Sequence, residues 1–372
     1  MVRTGFVFDE RYLWHDPGDA ALVMAPGPFV EPYRHIENAD AKRRLHNLLI
    51  ASGLIDRLQR IKPRAATDEE ILRVHTPAYL ARIKRLSAEG GGEAGFNARF
   101  GAGGFEIAAL AAGGVIAAVE AVLARTVRNA YALVRPPGHH AEADRGLGFC
   151  IFGNCAIAGR HALAAHGLER IAFVDWDVHA GNGTQAVFYD DPRALTISIH
   201  QERAFAAVTG DAEEIGEGAG KGYNLNVPLP AGCGDGAYRY AFERIVLPAL
   251  HTYRPQLIIV PCGFDAGIFD PLARMMLHSD AFRALAQMVL CAADELCHGR
   301  LVLAHEGGYC PATVPFFGLA VIEALVGERT EVVDPFVAIH AKAPGQALQP
   351  HQRELIDRLA VQAERTRAAC WH

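Results

Sequence analysis

No two of the eight cysteines in this 372-residue chain (Cys150, Cys155, Cys233, Cys262, Cys291, Cys297, Cys310 and Cys370) stand at the C-x-x-C spacing of zinc clusters and redox sites. They read as isolated thiols of a reducing cytosol. There is no basic block, and the net charge is −6, which argues against nucleic acid as a main ligand. No apolar run is expected to approach the roughly 20 residues of a membrane span. The opening Met1-Val2-Arg3-Thr4 carries no apolar signal core with a cleavage site. The expected location is cytoplasmic, with neither membrane nor nucleic acid as partner. No fixed-period repeat or low-complexity linker divides the chain, so one domain over residues 1–372 is expected.

What is present is enough apolar material for a large core: 51% of residues are hydrophobic and 21% charged. Residues 40–60 read as a helix, with Leu45, Leu48, Leu49 and Ile55 at helical spacing. Thr67 and Glu70 form a capping box for the next helix. The glycine-rich stretch 89–104 reads as a loop, and the Ala-rich 105–125 as a buried helix. Short apolar strands follow at 131–134, 171–174, 195–199, 257–260 and 301–304, with helical segments near 154–168, 237–252 and 280–297. Continuously apolar strands alternating with helices predict an α/β fold, a central parallel sheet covered on both faces. A last helix over about 350–368 presents Leu355, Ile356 and Leu359 on one face.

Each strand is followed by polar residues. Arg135-Pro136-Pro137-Gly138-His139-His140 follows the first, and Asp175-Trp176-Asp177-Val178-His179 the second. His200 follows the third, Pro261-Cys262-Gly263-Phe264-Asp265 the fourth, and His305-Glu306-Gly307-Gly308-Tyr309 the fifth. Open parallel sheets bind ligands outside the carboxyl ends of their strands, so these residues should converge. Side chains two apart share a face of extended chain, which would let Asp177 and His179 reach one metal ion while Asp175 orients a neighbour. Asp265 is placed to complete the set. Two carboxylates and an imidazole suit a catalytic zinc with an open position; oxygen-rich ligation also suits ferrous iron. Each piece has a plainer reading taken singly: a strand-end turn, a satisfied loop histidine, a helix cap. Their coincidence at four strand ends outweighs those readings.

Pro-Pro-Gly-His-His, Asp-Trp-Asp-Val-His-x-Gly-Asn-Gly, Gly-Phe-Asp-Ala and Glu-Gly-Gly-Tyr, in this order, resemble the histone deacetylase superfamily from about residue 65 to about 325. Asn182 and the Glu-Gly-Gly-Tyr form resemble its class II branch, and in length and wording the bacterial histone-deacetylase-like amidohydrolases. The resemblance implies the arginase–deacetylase fold and hydrolysis of an acyl group from lysine or a lysine-like amine. It implies zinc on Asp177, His179 and Asp265, His140 as general base and acid, and His139 as its electrostatic partner, oriented by Asp175. It further implies Asn182 as support for His140 and Tyr309 as donor to the oxyanion. Phe149 after Gly148, together with Phe205 and Leu272, would line an acyl-lysine tunnel. Potassium would bind at Asp175, Asp177, His179, Ser198 and Ile199, and again at Phe188, Asp191, Ala194 and Tyr223. Relatives form dimers or tetramers, so a homodimer or homotetramer is expected.

Three departures stand out. Ala180 replaces a second histidine, Gly153 replaces a common asparagine, and the loop Arg203-Ala204-Phe205-Ala206-Ala207-Val208 lacks the usual proline or glycine. The alternatives are an acylpolyamine amidohydrolase, a non-catalytic acyl-lysine binding module and a ureohydrolase on the same fold. The first would want a carboxylate at the tunnel mouth, where Asp270-Pro271 is followed by apolar Leu272-Ala273; Glu202 or Glu142 would have to supply it. The second would want a lost catalytic group, and none is lost. The third would want ligands for a second metal that these motifs do not contain.

Overall fold

The apolar runs read from the sequence lie side by side in the middle of one sheet. The structure, a computed structural model, describes residues 3–205 and 207–371. The eight strands are β1 (Gly5–Val7), β2 (Gln59–Ile61), β3 (Asn129–Ala132), β4 (Ile171–Asp175), β5 (Ala194–Gln201), β6 (Asn224–Leu229), β7 (Leu257–Cys262) and β8 (Leu301–His305). Their spatial order is β6-β5-β4-β7-β8-β3-β1-β2, and every neighbouring pair is parallel. The five expected strands are β3, β4, β5, β7 and β8. β1, β2 and β6 gave no clear signal; β1 and β2 are only three residues each.

Although the central strands look uniformly apolar, their side chains divide by twos between two cores. Leu301 and Leu303 join one core, Val302 and Ala304 the other. Ile258 and Val260 face the first, Leu257 and Ile259 the second. This is how a sheet covered on both faces reads in sequence. Helices Ser279–Cys297 and Val314–Val326 cover the first face; Gly104–Leu123 and Asn154–Ala165 cover the second.

Several expectations change in detail. The helix placed at 40–60 ends at Ala51, because Gly53 takes a left-handed φ of 72° and starts a short 3-10 turn, Leu54–Arg57. The capping box is present, with Thr67 Oγ1 accepting from Glu70 N–H and Glu70 accepting from Thr67 N–H. The glycine-rich stretch contains short strands: 91–93 pairs antiparallel with 99–101, and 95–96 pairs with 146–147. Glycine permits this pairing, since a Cβ on Gly91 would lie 2.3 Å from Phe100 O. Gly104–Leu123 is, contrary to expectation, long and apolar enough to cross a membrane. It is apolar all round because protein surrounds it: alanines 108, 109, 111, 112 and 118 are all buried.

The last helix runs Pro350–Cys370 and packs on β6, an edge strand of the sheet. Ile356 is fully buried beneath it. Gln362 Nε2 donates to Ala212 O at 2.8 Å, and Trp371 Nε1 donates to Gly222 O at 3.0 Å while its ring stacks on Tyr223.

Candidate active site

β4 ends at Asp175, and the chain beyond it is not extended. The alternation argument therefore gave the right residues for an incomplete reason. Two successive side-chain-to-backbone turns follow: Asp175 Oδ1 accepts from Asp177 N–H, and Asp177 Oδ1 from His179 N–H, each at 3.0 Å. Aspartate is suited to both positions because its short carboxylate reaches the backbone two residues on. Asp265, beyond β7, accepts from Val178 N–H at 2.8 Å; Gly307, beyond β8, donates to Asp177 Oδ2 at 2.9 Å. Three strand ends are thus tied together through carboxylates. Any side chain at 307 would intrude, since a Cβ there would sit 2.2 Å from Asp265 Oδ2.

These ties bring Asp177, His179 and Asp265 into one buried group whose donor atoms lie within 4.8 Å of one another. His179 Nδ1 is 3.0 Å from Asp177 Oδ1 and 3.2 Å from Asp265 Oδ2. Asp265 Oδ2 is buried and accepts no hydrogen bond among the described residues. Burial alone would lower the His179 pKa. The close Asp177 and Asp265 carboxylates outweigh it and lift the value to about 10. The group therefore calls for a cation, and a divalent metal on two carboxylates and a neutral imidazole answers that demand.

The tandem histidines differ in their surroundings. His139 Nδ1 is 2.9 Å from Asp175 Oδ2, and its Nε2 is 3.6 Å from Asp177 Oδ1. Burial opposes its charge, but Asp177 and Asp175 hold its pKa well above the usual histidine value. His140 is pushed well below that value, first by burial and then by the positive charge of His139 and His179. Its Nδ1 lies 2.6 Å from Asn182 Oδ1. The Asn182 amide is oriented by its other end, where Nδ2 donates to His140 O at 3.3 Å and Glu142 Oε1 at 2.8 Å. His140 must then donate from Nδ1, which leaves a lone pair on Nε2.

Tyr309 is held by its backbone, whose N–H donates to Asp270 Oδ2 at 2.8 Å. Burial, with Asp265 and Asp177 adding to it, raises its pKa well above 10, so the hydroxyl keeps its proton. Two buried carboxylates not singled out by the sequence reading fix these loops. Asp270 is one, also accepting from Leu272 N–H at 2.9 Å. Glu306 is the other: its Oε2 accepts from the N–H groups of Gly138 (2.6 Å) and His139 (3.2 Å). A glutamate three residues before the tyrosine, on a fully buried strand end, was the available signal.

A cavity of about 520 Å³ leads to His140, His179 and Tyr309. Gly148, Phe149, Phe205 and Leu272 line it, as expected, with Ala204 and Ala207 from the Phe205 loop; Val23, Phe96 and Asn97 were not foreseen. Phe149 takes a left-handed φ of 70° and packs edge-on against Tyr309. Phe96 stacks on Phe205 at 6.1 Å, and Phe205 lies 5.2 Å from the His140 ring. A Cβ on Gly148 would lie 2.5 Å from His140 Cδ2. No carboxylate lines the cavity among the described residues. Glu142 is engaged by Arg145 and Asn182, and Glu202 is exposed and is not among the lining residues. Ala206 lies outside the described residues.

Not every strand-end histidine converges. His200 lies within β5, held by Ser198 Oγ and Gly210 O, and His305 within β8, where its Nδ1 meets the Tyr131 hydroxyl. Both are buried within the strands, which extend beyond the ends read from sequence. The Ala180 departure has a visible consequence. Gly210 (φ 64°) packs so closely that a Cβ there would be 2.6 Å from both Ala180 Cβ and His200 Nε2. A small residue at 180 thus leaves room for the close approach of the backbone at Gly210. Gly153 N–H donates to His75 Nε2 at 3.0 Å. All eight cysteines are free.

The sequence profile of the histone deacetylase domain matches residues 35–325. The chain is 52% identical to the histone deacetylase-like amidohydrolase of Pseudomonas aeruginosa, over 97% of this chain and 96% of that one. It is 37% identical to a probable deacetylase of Archaeoglobus fulgidus, over 87% and 86%. Its fold superposes on the solved HDA15 HD domain with a TM-score of 0.83, at 30% identity and covering 99% of each chain.

Proposed function

The chain belongs to the histone deacetylase family of amide-bond hydrolases, and from that premise we propose that it is a zinc-dependent amidohydrolase removing acetyl or other acyl groups from lysine or a lysine-like amine. The observation that carries this reading is the convergence of a metal-donor triad, a neutral histidine and a protonated tyrosine at the floor of one apolar tunnel. Asp177, His179 and Asp265 would hold the metal; the unpartnered Asp265 Oδ2 and the charge demand of the triad support this. Zinc supplies Lewis acidity to the scissile carbonyl and to the attacking water; ferrous iron is the second candidate.

His140 Nε2, with its lone pair exposed by the Asn182 hydrogen bond, takes the water proton and returns it to the leaving amine. His139 remains the cationic partner of Asp175 and repels a resting proton from His140. The Tyr309 hydroxyl donates to the oxyanion. The walls of Phe96, Phe149, Phe205 and Leu272 hold a methylene stem and exclude water. An uncharged wall favours a lysine stem over a polyamine, whose distal ammonium needs a carboxylate. The binding-module reading would require a missing group, and all are present.

Two potassium sites accompany this reading. Ser198 stands opposite Asp175 in register, in keeping with the first, at Asp175, Asp177, His179, Ser198 and Ile199. The second, at Phe188, Asp191, Ala194 and Tyr223, rests on resemblance; there the Asp191 carboxylate is taken up by Arg160 and Arg193. The homo-oligomer and the cytoplasmic location rest on resemblance and composition.

The test is hydrolysis of acetyl-lysine peptide, trifluoroacetyl-lysine peptide and acetylputrescine by zinc-loaded protein, with and without chelator. Turnover of the lysine substrates that chelation abolishes is the expected result. Cleavage of acetylputrescine alone would transfer the assignment to the polyamine class, and zinc binding without any cleavage would leave a binding module.

A further inference from the structure

A second cluster of metal-ligand type lies outside the site just described, on the two helices that cover the second face of the sheet. It comprises Glu120 in the last turn of Gly104–Leu123, His161 in Asn154–Ala165, and His166, the residue that caps that helix. Helix Asn154–Ala165 begins behind the tandem-histidine loop, where Asn154 Nδ2 donates to Pro136 O at 3.0 Å. The cluster is at the far end of this helix, roughly 15 Å away at 1.5 Å per residue.

One donor atom from each residue lies within 4.8 Å of the others. His161 Nε2 and Glu120 Oε1 are 3.2 Å apart. Two ligands on a tetrahedral zinc, each about 2.1 Å from the ion, are held about 3.4 Å apart. The same donor spacing occurs in the Asp177, His179 and Asp265 triad. His161 is 6% exposed, and its Nε2 is buried without a hydrogen-bond partner among the described residues. A buried ring nitrogen without a hydrogen bond is unfavourable, and an ion between it and Glu120 would satisfy both.

The surroundings complete the pattern. His161 Nδ1 lies 3.3 Å from Glu70 Oε1, matching the carboxylate that commonly receives the other ring N–H of a metal-bound histidine. Arg73 Nη1 also stands 3.0 Å from Nδ1, and its Nη2 is paired with Glu69 at 3.0 Å. With a metal on Nε2, the ring proton moves to Nδ1 and is accepted by Glu70, while Arg73 stays with Glu69. Arg64 bridges Glu70 and Glu120 at 2.7 and 3.0 Å. Three carboxylates therefore face two guanidiniums, a net negative setting for a cation. Glu120 is 38% exposed at its side chain and His166 is exposed, so an ion has an entry path.

We propose that Glu120, His161 and His166 form a second, peripheral site for a divalent transition ion of the zinc class, joining the ends of two helices. Two imidazoles and a carboxylate select such an ion over calcium or magnesium. The site is independent of the amide-hydrolysis reading and leaves the catalytic floor untouched.

The experiment is metal stoichiometry on the untagged, full-length protein, stripped and then equilibrated with Zn²⁺, and separately with Co²⁺ read by its visible absorption. Wild type should hold two equivalents at the peripheral and catalytic sites together. His166→Ala and Glu120→Gln, both on partly exposed side chains, should each hold one and keep wild-type hydrolysis; Asp265→Asn should lose the other equivalent and keep the peripheral one. The second equivalent should bind at least 10-fold more weakly in the two peripheral variants. One equivalent in wild type, or two retained in both peripheral variants, overturns the proposal. Failure of Asp265→Asn to lose an equivalent would instead count against the catalytic-metal reading.

Discussion

The floor and the rim of the tunnel are built on opposite plans. At the floor, each side chain assigned to chemistry is fixed by a second group: His139 by Asp175, His140 by Asn182, and Tyr309 through Asp270. At the rim, Val23, Phe96 and the loop carrying Phe205 and Ala207 come from separate segments and meet through apolar contact. Polar networks set positions to fractions of an ångström, whereas apolar walls set only volume and polarity. The floor should therefore determine the rate and the rim the choice of substrate.

The sharpest break of this division is at His140. His140→Ala should lower kcat on an acetyl-lysine peptide by about 100- to 10,000-fold, with KM within a few-fold, in steady-state assays of zinc-loaded protein. A matching rise in KM would show that the histidine binds rather than transfers protons. Tyr309→Phe removes one hydroxyl donor and should cost about 100- to 1000-fold in kcat. If the loss is under 10-fold, the oxyanion is held elsewhere.

Phe205→Ala tests the rim. It should raise KM by about 10-fold for acetyl-lysine peptide and change kcat only a few-fold, since it deletes apolar wall without touching a proton path. Progress curves across a series of acyl lengths would locate the change; an equal loss of kcat for all of them would erase the distinction between floor and rim.

The smallest effect concerns two buried histidines that support the two regions. His75 lies behind the floor and His200 under the rim loop; burial lowers the pKa of each to about 4. The unfolded chain titrates them near 6.5, so between pH 6.5 and 4 it binds protons that the folded chain does not. Stability should therefore fall as pH falls through that window, each histidine adding at most about 1.4 kcal/mol per pH unit. Urea midpoints measured from pH 7 to 4.5 give the slope, and His75→Gln should flatten it. An unchanged slope would mean that His75 is protonated in the native state.

The same division governs what was legible in the sequence. Short apolar runs capped by Asp, His and Gly announced β3, β4, β7 and β8, because a strand buried on both faces has no polar side to show. Asp177, His179 and Asp265 were readable as a cluster, since each follows such a run. The turns that aim Asp177 and His179 were not read, because extended alternation predicts the same pair. Val23, in a turn, and Phe96, in a two-residue strand, line the tunnel from segments too short for periodicity, and only tertiary placement reveals them. β1 and β2 are too short for period to speak, and the reach of β5 and β8 through His200 and His305 was hidden because polar residues there sit inside strands.

The helix Pro350–Cys370 has a bearing on the order of biosynthesis. All eight strands precede it in the chain, so a ribosome delivers the complete sheet before the element that packs on β6 exists. During that interval the apolar face of β6 that Ile356, Leu359, Ala360 and Ala363 cover, built from Leu225, Val227 and Leu229, stays uncovered. Chains stalled or cleaved before residue 350 should therefore aggregate more readily than the full chain.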